Sequence, residues 1–152
     1  MGGHLTDLAA LSKGFDPEQG GRQYFHVNAN GDVEPCIFAH FATDNIKHVP
    51  LAQALNSPLF QAIRSRQPYS DNLLRPCMII DNTDVLRDVV ASHGAYATHP
   101  QARRLLGEFA PMLDDYAESY RRIADIAWED IGRGSQAPSC VAEKTCAPNA
   151  RQ

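Results

Sequence analysis

The clearest alternation of apolar and polar residues lies between Tyr24 and Cys36, in the sequence YFHVNANGDVEPC. From Tyr24 to Ala29 the period is two residues, as in a strand with one buried face. The Asn30-Gly31 pair favours a two-residue type I′ turn, in which both central residues have positive φ angles. The pattern therefore predicts a β-hairpin over about residues 24–36, with a return strand from Asp32 to Glu34.

Proline marks the end of this return strand. Pro35 cannot donate a hydrogen bond to a strand ladder, so the sheet is expected to end there and to leave Cys36 just beyond it. The segment that follows, residues 37–50, is predicted to be a loop. Its inward-packed apolar residues are predicted to be Ile37, Phe38 and Phe41.

Helical signals follow this loop. Pro50 fits the first position of a short helix, and Ser57-Pro58 is typical of an N-cap followed by proline in a second helix. Asn82 or Thr83 is expected to cap a third helix. That helix is expected to end at Gly94, because glycine adopts the left-handed conformation without a steric penalty.

Two more helices are expected towards the C-terminus, one after Pro100 and a long last one. Pro111 either starts the last helix or kinks a longer one. The apolar stripe of the last helix has a period of 3.6 residues and comprises Leu113, Tyr116, Ala117, Tyr120, Ile123, Ala124, Ala127, Trp128 and Ile131. The fold predicted from these patterns is a small α+β domain, with four or five helices packed on one β-hairpin.

The two ends of the chain have weaker patterns. Residues 1–21 combine a short leucine repeat with glycine, proline and aspartate, so a weakly ordered segment is expected. Residues 132–152 contain hardly any large apolar side chain, so burial cannot offset the entropy of ordering and a disordered tail is expected. Residues 22–131 are predicted to form a single domain.

Composition and charge narrow the class of protein. The chain has 152 residues, of which 43% are hydrophobic, enough for one domain with a buried core. Its net charge of −4 argues against a nucleic-acid partner or an anionic membrane surface. Neither a membrane span nor a signal peptide is recognisable, so a cytoplasmic location without a membrane partner is expected.

The common short motifs of metal and nucleotide chemistry do not occur in the sequence. It has no C-x-x-C, H-E-x-x-H, G-x-x-x-x-G-K-[ST], G-x-G-x-x-G or G-x-S-x-G. Zinc ribbons, zincins, P-loop enzymes, Rossmann enzymes and α/β-hydrolases are therefore unsupported classes.

The cysteines are the remaining candidates for chemistry. Cys36 and Cys77 each follow a proline, which fixes the local backbone and suits a ligand held on a loop. From the residues alone they are either metal ligands or buried apolar side chains, and burial is the commoner role of a free cysteine. His40 has a ligand-like spacing from Cys36, although a surface or core histidine is the more frequent case. Cys140 and Cys146 fall in the predicted tail, as exposed thiols.

The run from Tyr24 to Cys77 resembles the C-terminal SPASM/twitch-like extension of radical S-adenosylmethionine (SAM) proteins. The shared features are the strand and turn, the cysteine of GDVEPC, an N-I segment, the helix motif L-x-x-A-L-x-S-P-L-F and the later R-P-C. The resemblance extends over about residues 20–93. It implies that Cys36 and Cys77 ligate an auxiliary [4Fe–4S] cluster beside the substrate end of a radical SAM barrel.

The chain also departs from the family pattern. The radical SAM barrel and its Cys-x-x-x-Cys-x-x-Cys loop, which binds S-adenosylmethionine, are missing, so the chain is not expected to catalyse that reaction alone. Family cysteines match Pro17, Ala110 and Leu113 in this chain. Because four thiolates usually hold a [4Fe–4S] cluster, either other groups, such as His40 or an N-terminal segment of another chain, complete the site, or the cluster has been lost.

The function implied by the resemblance is therefore an auxiliary cluster domain, truncated or acting with a separate barrel chain. Its role would be electron transfer, or the anchoring of a peptide or small-molecule substrate. Two alternatives stay open at this point. One is a binding or scaffold domain that has lost its cluster, and the other is a redox pair that forms a Cys36–Cys77 disulfide.

Overall fold

The computed structural model describes residues 20–135, so residues 1–19 and 136–152 lie outside the described part of the chain. The predictions of a weakly ordered N-terminal segment and of a disordered tail concern mostly these outer residues. Pro17, Cys140 and Cys146 also lie there. Among the described residues, no helix combines the length and the apolar character that crossing a membrane requires.

The described chain is a mixture of short strands and helices. The strands are β1 (His26–Val27), β2 (Val33–Glu34), β3 (Phe41–Ala42) and β4 (Tyr96–Ala97). The helices are α1 (Leu51–Ala54), α2 (Pro58–Ser65), α3 (Thr83–Ser92) and α4 (Ala110–Ser135), with a 3₁₀ helix at Ala102–Leu106. The predicted α+β class is confirmed.

Strands β1 and β2 form the predicted antiparallel hairpin, but with a different register. His26 lies opposite Glu34, and Val27 lies opposite Val33. This register leaves a three-residue loop, Ala29–Gly31, in place of the predicted two-residue turn.

The side chain of Asn28 accounts for the longer loop. Its Oδ1 accepts hydrogen bonds from the backbone N–H groups of Asn30 at 2.9 Å and Asp32 at 3.1 Å. Its backbone carbonyl accepts from the N–H of Gly31 at 2.9 Å, and Gly31 has a φ of +91°. A local asparagine turn closed by a left-handed glycine therefore replaces the type I′ turn.

A second antiparallel ladder was not predicted, because residues 37–50 were expected to be a loop. Strand β3 pairs with β4, and Phe41 lies opposite Ala97 while Ala42 lies opposite Tyr96. Each strand has only two residues, so neither has a detectable alternation of its own. The ladder connects the segment after Cys36 to the segment before the 3₁₀ helix.

Helix α2 contributes to both parts of the hydrophobic core. Ser57 is its N-cap and accepts from the N–H of Phe60 at 3.4 Å, as the Ser57-Pro58 signal predicted. Phe60 packs in a small cluster with Val33 and Ala54. The main cluster contains Ala39, Phe41, Leu59, Ile63, Met78, Ile79, Leu86, Val89, Val90 and Ala102. Each fully buried large apolar side chain stabilises the fold by about 1.5–3 kcal/mol.

The last helix, α4, packs along the loop that leads to Cys77. Ala124 is buried, and the Tyr120 hydroxyl donates to the Leu74 carbonyl at 3.0 Å. The predicted apolar stripe is wrong at Tyr116 and Ile123, which are exposed, because the packed side of the helix is narrower than the stripe. The helix also continues to Ser135, four residues past the predicted end.

Candidate metal centre

The first cysteine follows directly from the hairpin. Strand β2 ends at Glu34, and both Glu34 and Pro35 are fully buried, which fixes the direction in which the chain leaves the sheet. Cys36 then pairs with Ala39 in an isolated bridge, and the Ala39 N–H donates to the Cys36 carbonyl at 3.0 Å. The N–H of Phe38, inside this turn, donates to Cys36 Sγ at 3.5 Å.

The second cysteine is held in a tight turn before α3. The Cys77 carbonyl accepts from the N–H groups of Asp81 at 3.2 Å and Asn82 at 3.0 Å. In return, the Cys77 N–H donates to the Asp81 carboxylate at 2.9 Å. The N–H of Ile79 donates to Cys77 Sγ at 3.4 Å.

The two Pro-Cys turns therefore have the same local chemistry. In each, the backbone N–H two residues after the cysteine points at the sulfur. A hydrogen bond to sulfur stabilises the thiolate form, which is the form that ligates metals. The sequence shows the proline before each cysteine. The structure adds an N–H donor to each sulfur.

The structure brings both cysteines to one region. Cys36 and Cys77 pack against the main hydrophobic cluster, and both are free thiols, so the structure has no disulfide between them. The hydroxyl of Tyr24 donates to Cys36 Sγ at 3.5 Å. Gly20 completes this corner, because a Cβ atom placed on it would lie 3.6 Å from the Cys36 Cβ.

The pKa shifts of Cys77 and Tyr24 also indicate that Cys36, Cys77 and Tyr24 lie close together. Burial is the largest effect on Cys77, and it raises the pKa of the thiol. Hydrogen bonds from the N–H groups of Ile79 and Ile80 lower this pKa, and electrostatic interaction with Asp81 and Cys36 raises it. The hydrogen bond to Cys36 is the largest cause that raises the pKa of Tyr24 to about 12, followed by burial and the negative charges of Cys36 and Cys77. The two thiols and the phenol therefore lie within electrostatic reach of one another.

Exposed apolar side chains border the cysteines. Ile37 is 52% exposed and Phe38 is 70% exposed, so the prediction that they pack inward is wrong, while Phe41 is buried as predicted. The turn from Cys36 to Ala39 directs the two intervening side chains away from the core. We define the apolar collar as the four exposed residues Tyr24, Ile37, Phe38 and Ile80.

The described residues supply two soft donors for a cluster. Thiolates are the ligands that iron–sulfur clusters use, so Cys36 and Cys77 fit such a group chemically. Within residues 20–135, however, no group of three or more His, Cys, Asp or Glu side chains is arranged to hold a metal ion. The side chain of His40 lies 3.6 Å from the Glu34 carboxylate and packs against the ring of His99.

A buried carboxylate beside Cys36 was missed in the sequence. Glu34 is fully buried, and its Oε2 lies 2.6 Å from Nδ1 of His26. Its Oε1 accepts from the Thr98 hydroxyl and from the Asn28 amide. Glu34 thereby ties the strand that leads to Cys36 to the residue after β4. An acidic residue directly before Pro35 was the only hint, and its partner after β4 is distant in sequence.

Residues 19–78 match the family model described as SPASM, iron-sulfur cluster-binding domain. The matched segment contains both cysteines and confirms the SPASM resemblance, with an iron–sulfur and metal-binding role. No curated protein and no solved structure matches the chain. Helices α3 and α4 lie beyond the matched segment.

Proposed function

We propose that this chain is an auxiliary iron–sulfur domain that works with a radical SAM barrel and in which Cys36 and Cys77 are thiolate ligands of a [4Fe–4S] cluster. The observation that carries the proposal is the shared geometry of the two Pro-Cys turns, each with an N–H group directed at its sulfur. Both turns lie in the segment that matches the SPASM family.

The contacts of Cys36 and Cys77 indicate how this chain would hold a cluster. The Phe38 and Ile79 N–H groups stabilise the two thiolates, and the buried residues Glu34 and Pro35 fix the position of the first. A bound cluster would supply one-electron chemistry, for electron transfer or for anchoring a substrate intermediate. The remaining ligands come from outside the described residues, from Cys140 and Cys146 of this chain or from a partner chain.

The apolar collar is proposed as the surface that meets the partner. Large exposed apolar side chains beside a functional site are typical of interaction surfaces. The partner would be a chain with a radical SAM barrel, which would itself bind S-adenosylmethionine, and a peptide or small-molecule substrate would lie between the two. Thiolate ligands on free cysteines also suit a reducing, cytoplasmic location.

Anaerobic reconstitution of the full chain with iron and sulfide tests the cluster. The wild type is expected to gain visible charge-transfer absorbance, and a Cys36→Ser/Cys77→Ser variant is expected to lose it. A Cys140→Ser/Cys146→Ser variant removes the same number of thiols and tests whether these two cysteines are further ligands.

Each pattern of results has a defined meaning. Loss of iron in the Cys36/Cys77 variant alone supports the proposal and shows that Cys140 and Cys146 are not required as ligands. Loss in both variants also supports it and assigns the remaining ligands to the tail cysteines. Equal iron retention in the wild type and the Cys36/Cys77 variant would overturn it.

A second candidate is a scaffold domain that has kept the fold without its cluster. It is favoured by the packing of both cysteines against the hydrophobic core. In that case the wild type takes up no iron and sulfide, and Cys36→Ala lowers the free energy of unfolding by only about 1 kcal/mol, as for other small truncations. Iron analysis of the reconstituted wild type separates the two candidates.

A further inference from the structure

The hydroxyl of Tyr24 differs from the other hydrogen-bond donors at the two sulfurs. Within residues 20–135, the other donors to the two sulfurs are backbone N–H groups, from Phe38 to Cys36 and from Ile79 and Ile80 to Cys77. Tyr24 reaches Cys36 Sγ with a side chain, at 3.5 Å. It is therefore a contact that one substitution can remove without changing the backbone.

Contacts with Gly20 and Gly21 hold Tyr24 in place beside Cys36. Gly20 forms an isolated bridge with Tyr24, and the Gly21 N–H donates to the Tyr24 carbonyl at 2.9 Å. A Cβ atom on Gly20 would lie 3.5 Å from the Tyr24 hydroxyl and 3.3 Å from the Pro35 carbonyl. The first distance is an ordinary contact and the second is tight, so Gly20 lies directly against both the phenol and the Pro35 carbonyl.

We propose that Tyr24 is a positioning residue that acts through Cys36 and raises the reduction potential of the cluster bound there. This inference rests on the proposed function. The O–H dipole draws electron density from the sulfur, and the reduced cluster carries one more negative charge than the oxidised cluster. The hydrogen bond therefore stabilises the reduced form more, as is general for hydrogen bonds to cluster sulfurs.

Tyr24→Phe tests the inference, because it keeps the ring and removes only the hydroxyl. The full chain is reconstituted anaerobically, its iron and sulfide contents are measured, and the midpoint potential is obtained by redox titration monitored by electron paramagnetic resonance. Tyr116→Phe, on α4, is the control, since Tyr116 is exposed to a similar extent.

The variant is expected to bind as much iron as the wild type and to have a more negative midpoint potential. A change of about tenfold in the one-electron equilibrium is expected, which is 59 mV for one electron. The Tyr116→Phe midpoint is expected to equal that of the wild type. Equal midpoints in the wild type and Tyr24→Phe would overturn the inference and leave the cluster proposal intact.

Two further outcomes are also informative. If the wild type binds no cluster, the proposed function and this inference both fail. If Tyr24→Phe alone binds no iron, 3-fluorotyrosine introduced at position 24 keeps both ring and hydroxyl. Its more acidic O–H group is expected to shift the midpoint potential to a more positive value, and an unchanged value would overturn the role of Tyr24.

Discussion

The backbone N–H of Cys77 donates to the side-chain carboxylate of Asp81 at 2.9 Å, and the N–H of Asp81 donates back to the Cys77 carbonyl at 3.2 Å. This reciprocal pair closes the turn that presents the second sulfur. Burial raises the pKa of Asp81, although the Cys77 N–H and the charge of Arg75 work in the opposite direction. The Asp81 carboxyl therefore closes the turn as the acceptor for the Cys77 N–H.

The first prediction follows from that hydrogen bond. Asp81→Ala leaves the Cys77 N–H without its partner and is expected to lower the free energy of unfolding by about 1–3 kcal/mol. Asp81→Asn keeps an acceptor oxygen and is expected to cost less. Urea unfolding of the cluster-free protein measures both, and equal losses in the two variants would contradict the role of the acceptor.

The second prediction concerns the fully buried Glu34. Replacing it with alanine removes the acceptor for the Thr98 hydroxyl and leaves His26 without its carboxylate. Losing the hydrogen bonds that this buried carboxylate accepts is expected to cost about 1–3 kcal/mol. Glu108→Ala, which breaks an exposed pair with Arg104, is the control and is expected to leave the urea midpoint unchanged. Similar midpoints in the two variants would contradict the buried network.

The elements that could be predicted from the sequence are those stabilised by contacts between residues close in the chain. The cap of α2 needs only Ser57 and the N–H of Phe60, three residues later, so its start was predictable. The β1–β2 hairpin could be predicted for the same reason, because its two strands are close in the sequence. Its loop was misjudged because the Asn28 side chain competes with the expected turn, and this competition is invisible in the pattern of apolar residues.

Contacts between distant segments were not predictable in this way. Strands β3 and β4 are two residues long, and their pairing is decided by packing and not by periodicity. Ile37 and Phe38 are apolar, and apolar side chains alone predict burial. Both are exposed because they lie within the Cys36–Ala39 turn, which the pattern of apolar residues does not reveal. The cysteines were found through their prolines and the family resemblance. The contact from Tyr24 required the folded chain.

The third prediction tests the hairpin loop. Gly31 has a φ of +91°, and a Cβ atom there would lie 2.8 Å from Asn45 Oδ1. Gly31→Ala therefore combines backbone strain with a clash, and a loss of about 2–3 kcal/mol in the free energy of unfolding is expected. Gly94, with a φ of +62°, has no atom within 4 Å of such a Cβ. Gly94→Ala is expected to cost only about 1 kcal/mol, from strain alone.

Thermal and urea unfolding of the two glycine variants measure this difference. The clash at Gly31 involves a side chain that also bonds to Asp32, so relaxation of Asn45 would cost that hydrogen bond. Equal losses in Gly31→Ala and Gly94→Ala would show that Asn45 moves aside freely, and would contradict the described loop.

The last prediction is a pH dependence that arises from Asp32. Its carboxylate accepts from Asn28 at 3.0 Å, Asn45 at 2.9 Å and Tyr96 at 2.8 Å, and so joins the hairpin to two other segments. Burial opposes the charged form, but these hydrogen bonds outweigh it and lower the pKa of Asp32 in the folded state.

A carboxyl group with a lower pKa in the folded state stabilises the fold above its unfolded pKa, which is about 3.9 for aspartate. This contribution is lost as the pH falls from about 4 through the folded-state pKa. Asp32→Asn is therefore expected to be less stable than the wild type by about 1–3 kcal/mol at pH 7. The difference is expected to shrink below pH 4, in urea unfolding measured at several pH values. A difference that stays constant from pH 7 to pH 3 would show that the charge of Asp32 does not stabilise the hairpin.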